Sequence, residues 1–172
     1  MNSSEPLGVL RAWGVLILLF LAGAAAQSTL AYPIGRLVGA QPDFLLTTLL
    51  CAALLSDAIT GSLLGFIGGL LSASLIGQIV GTLLVTRTLA GYLAGRFTAR
   101  VFQASTLVVM LGVLVTSLAA FVLQTLAAPP HIPLTAWLRE TIGGALWNAV
   151  FSLPIGALLR LGGWGGPNPR LR

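Results

Sequence analysis

The 172-residue chain has no lysine, one histidine, one cysteine and only four acids, Glu5, Asp43, Asp57 and Glu140. Each shortage removes a class of chemistry. With a single cysteine, Cys51, neither an intramolecular disulfide nor a cysteine metal site can form. The lone histidine sits in Pro129-Pro130-His131-Ile132-Pro133 with no second His, Cys or carboxylate at ligand spacing, so no metal and no cofactor is expected. A hydrolase needs a nucleophile with its base, two carboxylates facing one cavity, or a metal. The scattered acids and missing lysine supply none of these sets, and the chain is expected not to be an enzyme. Charge is scarce too: 8% of residues are charged, against roughly 25% in soluble domains. The nine arginines give a net charge of +5 and a pI of 11.2, yet they stand singly beside apolar runs. That pattern excludes a nucleic-acid partner and matches the bias of basic residues toward cytoplasmic loops.

Apolar sequence is what the chain has in excess, 56% hydrophobic residues with a mean hydropathy of +0.97. No Asp, Glu or Arg interrupts residues 12–35, 58–86, 101–138 or 141–159. A helix crosses a hydrocarbon core of about 30 Å with about 20 apolar residues. The expectation is therefore an all-α polytopic membrane bundle of about six short transmembrane helices. It forms one integral membrane domain over 1–161, followed by a flexible basic cytoplasmic tail, 162–172, with nothing to pack. The first span covers 12–31; Ala24-Ala25-Ala26-Gln27 resembles a signal-peptidase site, but apolar sequence continues to Leu30, which favours an uncleaved span. Residues 32–42, with two prolines, two glycines and Arg36, read as a connector too broken for a helix. Residues 44–95 divide better into three short helices, breaking near Asp57 and at Gly77-Gln78, than into two. Two would place both Asp57 and Arg87 deep in lipid at roughly 2.5 to 3.5 kcal/mol each. The last two spans are 104–128, ended by Pro129-Pro130, and 141–159, ended by Arg160 and kinked at Pro154.

Six spans with the N-terminus inside put six arginines in the cytoplasm against Arg36 and Arg139 outside, but five spans with the N-terminus outside give the same ratio. Both arrangements leave the loop 96–103 and the C-terminus cytoplasmic. Small residues recur every fourth position at Gly61, Gly65, Gly69, Ala73, Gly77 and Gly81, then at Gly91 and Gly95. Close backbone approach at such residues drives helix association in lipid, so these glycines are expected to form packing faces, within the chain or against a partner. Arg87, with Asp57 or Glu140 as counter-charge and Gln124 and Asn148 nearby, is the candidate intramembrane polar site. It reads either as a ligand contact between helices or as a side chain that snorkels to the surface. Gln124, Asn148 and Ser152 are candidates for interhelical hydrogen bonds, and Asp57 for a span boundary.

The run Pro42-Asp43-Phe44-Leu45-Leu46, then Gly61-Ser62-Leu63-Leu64-Gly65-Phe66-Ile67-Gly68-Gly69-Leu70-Leu71, Gly77, Gly81 and Gly91-Tyr92-Leu93-Ala94-Gly95-Arg96 resembles the rod shape-determining MreD family. Pro42, Asp43, Gly91 and Tyr92 carry the motif. The resemblance is concentrated in 42–96 and extends loosely over nearly the whole chain. It implies a small polytopic protein of the bacterial inner membrane, a scaffold binding MreC. Through it the chain would serve the actin-like MreB, a SEDS glycosyltransferase and a class B penicillin-binding protein in lateral peptidoglycan synthesis. Many members carry an aspartate after the Gly-Leu-Leu step, where this chain has Ser72-Ala73-Ser74, which sets aside any role needing that acid. The family also resembles the six-helix substrate-binding subunits of energy-coupling-factor vitamin transporters, and a vitamin-like small-molecule binding subunit is the alternative function. The 96–100 loop suits anionic lipid or a cytoskeletal partner.

Overall fold

The structure, a computed structural model, describes residues 5–77, 80–101 and 105–165. Among the described residues there are seven helices and no strand: α1 (Glu5–Thr29), α2 (Ala31–Val38), α3 (Phe44–Leu54), α4 (Ala58–Ile76), α5 (Val80–Val101), α6 (Thr106–Ala127) and α7 (Leu134–Leu161). Gln78, residues 102 and 103 of the expected loop and 166–172 of the expected tail lie outside them; residues 96–101 of that loop are instead helical, the last turns of α5.

The stretch 44–95 does form three helices. Asp57 opens α4 by accepting hydrogen bonds from the backbone N–H groups of Ile59 (2.9 Å) and Thr60 (3.0 Å). Gly77 closes it in the left-handed conformation, φ +71°, with its N–H on the carbonyl of Ala73. A residue with a Cβ is strained there, which is why glycine ends the helix. The connector is a correction. Residues 31–38 are helical, because Pro33 falls in the first turn of α2, where its missing N–H is not needed. The same proline leaves the carbonyl of Thr29 without its usual donor, and the chain breaks there between α1 and α2.

α3 is the centre of the bundle. All eleven of its residues are buried, and Leu45, Leu49, Leu50 and Leu54 pack against Leu16 and Phe20 of α1, Leu64 of α4, Val113 of α6 and Leu159 of α7. At 1.5 Å per residue it is about 16 Å long, half a bilayer core. Four helices are both long and apolar enough to cross a membrane: α1 from Leu7, α4, α6 and α7. α5 has 22 residues but carries Arg87, Arg96 and Arg100. The expectation of about six spans thus resolves into four clear ones, a charged helix and a buried half-length helix.

The first turns of α1 and the segment that ends α7 meet at one end of the bundle. Arg11 donates from Nη2 to the carbonyl of Leu161 (3.0 Å), meeting an orphan acceptor at the C-terminus of α7. Trp13 packs edge-on against Trp164 with ring centroids 5.1 Å apart, and Trp164 Nε1 donates to the carbonyl of Ala52 near the end of α3 (2.9 Å). The start of the expected tail is corrected as well, since Trp164 is buried and part of the core.

Candidate functional site

The N-terminus of α3 lies inside the bundle, where its first N–H groups have no water to meet. Three separate segments supply acceptors. Asn148 of α7 accepts the N–H of Asp43 on Oδ1 (2.8 Å), Gln27 of α1 accepts that of Phe44 on Oε1 (2.8 Å), and the Asp43 carboxylate accepts that of Leu46 (2.9 Å). Asn148 is completed by donating from Nδ2 to the hydroxyl of Ser117 on α6 (3.2 Å). An acid at a helix N-terminus also meets the positive end of the helix dipole.

Asp43 has a second partner. Arg87 of α5 donates from Nη2 to Asp43 Oδ2 at 2.5 Å, with Nη1 3.5 Å from Oδ1. The arginine is 5% exposed. Its counter-charge is therefore neither Asp57 nor Glu140. Asp57 caps α4 at the end of the bundle away from this site; its carboxyl is held below the usual carboxylate range, first by the N–H of Thr60. Of the three expected interhelical hydrogen-bonders, Asn148 fills that role. Ser152 donates within its own helix, to Ala149 (2.6 Å). Gln124 lines the cavity described below.

The glycines position Arg87. α4 and α5 run antiparallel at one register, in which Gly61 lies against Gly91, Gly65 against the backbone of Arg87, Gly69 against Leu83 and Gly95 against the carbonyl of Asp57. A methyl on Gly95 would fall 2.5 Å from the Asp57 oxygen and one on Gly69 2.8 Å from the Leu83 oxygen, well inside contact. A Cβ on Gly61, Gly65 or Gly91 would meet a carbonyl oxygen still more closely. The ridge is thus used inside the chain. Gly77 and Gly81 are not part of it: Gly77 is the helix stop, and around both the space is open. Tyr92 faces outward and Pro42 is buried beside Asp43.

Between the ion pair and the loop at 128–133 lies a cavity of about 540 Å³. Asp43, Arg87 and Gln27 line it from one side, and Gln124, Trp137, Glu140 and Thr141 from α6 and α7. Gly39 is at the rim with the Arg139 guanidinium against it. Among the described residues no three His, Cys, Asp or Glu side chains gather as a metal would require.

Scanned against protein families, residues 8–161 match the model described as rod shape-determining protein MreD. The chain belongs to the MreD family. The match runs from near the start of α1 to the end of α7, so the family, one of shape-determining membrane proteins, accounts for the whole bundle. No curated protein and no solved structure matches the chain. Membership and several long apolar helices make this a multi-pass membrane protein with a role in rod-shape determination.

Sequence reasoning missed Gln27, Ser117 and Trp164, and missed Asp43 as the partner of Arg87. A signal for Asp43 existed: Pro42-Asp43 directly before an apolar run has the form of a helix N-cap. Nothing local points to Gln27 or Ser117, which matter only because distant helices bring them to the start of α3.

Proposed function

We propose that this MreD-family chain is a non-catalytic scaffold of the bacterial wall-elongation complex, binding an MreC-like bitopic membrane protein and supporting lateral peptidoglycan synthesis. The SEDS glycosyltransferase and class B penicillin-binding protein join it indirectly. The observation that carries this reading is the family match over 8–161. The chemistry of the interior agrees: among the described residues, the Asp43–Arg87 pair and the amides of Asn148 and Gln27 hold a half-length helix in place and present no nucleophile with a base. Since the Gly61, Gly65, Gly69, Gly91 and Gly95 faces are occupied within the chain, partner contact falls on other surfaces. Both termini lie on the cytoplasmic side of the inner membrane in this reading, with exposed Arg96 near anionic lipid, worth about 1 kcal/mol per basic residue.

Purification of the tagged chain from bacterial membranes tests the proposal. The expected outcome is a stoichiometric complex with the MreC-like protein that survives gentle detergent. Recovery instead with an ATPase-driven energising module, and without any bitopic partner, would overturn it. The cavity favours that second reading, a small-molecule binding subunit of an energy-coupling-factor-type transporter, and a substrate-loaded complex with such a module would support it.

A further inference from the structure

α6 and α7 pack closely at one end and part at the other. Near the start of α7 a Cβ on Gly144 would fall 3.4 Å from the Phe121 ring, whereas near its end one on Gly156 would meet only Val109 Cγ1, at 3.8 Å. No neighbour requires a glycine at 156, although glycine weakens a helix interior. What its missing side chain provides is space. A slot of about 310 Å³ opens there, between Val109 of α6 and Ser152, Gly156 and Ala157 of α7. Its floor is buried and its outer edge, at Ala157 and Leu161, is exposed. The Ser152 hydroxyl is turned into its own helix, donating to the carbonyl of Ala149 (2.6 Å), so the slot presents an apolar interior. Both helices are long and apolar enough to cross a membrane, and the slot opens on their outer face.

The mouth of the slot is basic. Arg160, in the last turn of α7, lines it and has no ion-pair partner among the described residues. Arg11 lies alongside, donating to the carbonyl of Leu161, another lining residue. α6 begins at the same point with Thr106 and has no side-chain cap, so the positive end of its dipole adds to the two arginines. No acid lines the slot. Exposed Trp13, against Trp164 at this end of the bundle, has the place of an interfacial aromatic.

The surrounding lipid narrows the occupant. An apolar slot holds no water, and an empty one forfeits dispersion contacts. A partner helix, about 10 to 12 Å across, is too thick to enter. An acyl chain is thin enough. From Ser152 to Arg160 the slot follows α7 for about 12 Å at 1.5 Å per residue, most of the half-thickness of a hydrocarbon core of about 30 Å. A chain lying in it brings its headgroup out at Arg160, and basic pockets between membrane helices suit anionic headgroups.

We propose that the slot between α6 and α7 holds one acyl chain of an anionic phospholipid, whose headgroup is met by Arg160 with Arg11 beside it. The inference goes beyond the scaffold reading and rests on the slot alone. The full chain, purified in detergent, is titrated with phosphatidylglycerol, with phosphatidylcholine of the same acyl chains, and with glycerol 3-phosphate, which has the headgroup charge and no chain. Thermal unfolding and native mass spectrometry follow the binding. Phosphatidylglycerol raises the unfolding midpoint saturably, on the order of 5 °C when well above its Kd, and stays on as one lipid per chain. Phosphatidylcholine raises it less, and glycerol 3-phosphate does not raise it. Arg160→Gln removes the difference between the two lipids, while Arg96→Gln keeps it. Gly156→Leu fills the slot from its floor and Ala157→Phe from its exposed edge; whichever of them is monodisperse and unfolds cooperatively loses the bound lipid and the shift. The proposal is overturned if the two lipids act alike on the intact chain, if glycerol 3-phosphate shifts it as much as phosphatidylglycerol, or if a folded slot-filling variant keeps its lipid. Loss of the MreC-like protein from such a variant, with the lipid response intact, would give the slot to a protein partner and overturn it as well. Whether the intact chain co-purifies with that protein is decided independently, so the site and the scaffold reading fail separately.

Discussion

Two interfaces in this bundle solve the same problem by opposite means. Between α4 and α5 there are almost no side chains: glycine faces backbone, turn after turn, from Gly61 opposite Gly91 to Gly69 opposite Leu83. Around the start of α3 polar side chains do the joining, with Asp43, Arg87, Asn148, Ser117 and Gln27 converging from five helices or their ends. In lipid the hydrophobic effect does not hold helices together, which leaves close packing and polar satisfaction as the available forces. The comparison teaches that the first is a property of one hairpin and the second a property of the whole assembly.

Removing the charge partner should have the largest effect. Arg87→Leu leaves the Asp43 carboxylate buried without its cation, and loss of one partner of a buried pair costs about 3 to 5 kcal/mol. Thermal unfolding in detergent reads this directly. The double variant Asp43→Asn, Arg87→Leu should recover part of the loss, because asparagine still caps a helix and no charge is stranded. A double variant no more stable than Arg87→Leu alone would show that the pair is not the centre of the polar interface.

The hairpin should respond to volume and not to charge. Gly91→Ala drives a methyl into the carbonyl of Gly61 and should destabilise by about 1 to 3 kcal/mol, whereas Gly81→Ala, with open space around it, should lie within about 0.5 kcal/mol of the parent. Equal behaviour of the two in the same unfolding assay would remove the distinction drawn between packed and merely recurrent glycines.

The smallest effect belongs to the exposed cap. Asp57→Ala should cost about 1 kcal/mol. Since hydrogen bonds from Thr60 and Ile59 lower the folded-state pKa of Asp57, its contribution is present above the unfolded value of about 3.9 and disappears as pH falls through the lower folded value. The stability difference between parent and Asp57→Ala should be flat from neutrality to about pH 5 and shrink below pH 4. A difference that grows on acidification would contradict the cap.

The breaks at Asp57 and Gly77 were legible because each is a local event, a side chain reaching its own next turn and a residue free to take positive φ. The glycine ridge was legible as a spacing, although its extent was not: Gly77 and Gly81 continue the period, but the helix has ended between them. α2 was hidden because proline and glycine weigh against a helix except in the first turn, and the position of that turn is set by where α1 breaks. Asp43 and Arg87 are 44 residues apart, and no periodicity connects them. Trp164 sits in a glycine-rich segment, and only the buried carbonyl of Ala52 near the end of a short helix gives it a place to bind.

By itself the amino-acid order determined that the chain is helical, that it lives in a membrane, where α4 stops and starts, and which residues could let two helices touch, since composition and short-range hydrogen bonding decide all of these. Tertiary structure decided which charge Arg87 meets, that α3 is a buried half-length helix and that a cavity opens above it. Those outcomes depend on which distant segments arrive at the same point, because a buried polar group must find its partner wherever the fold places one.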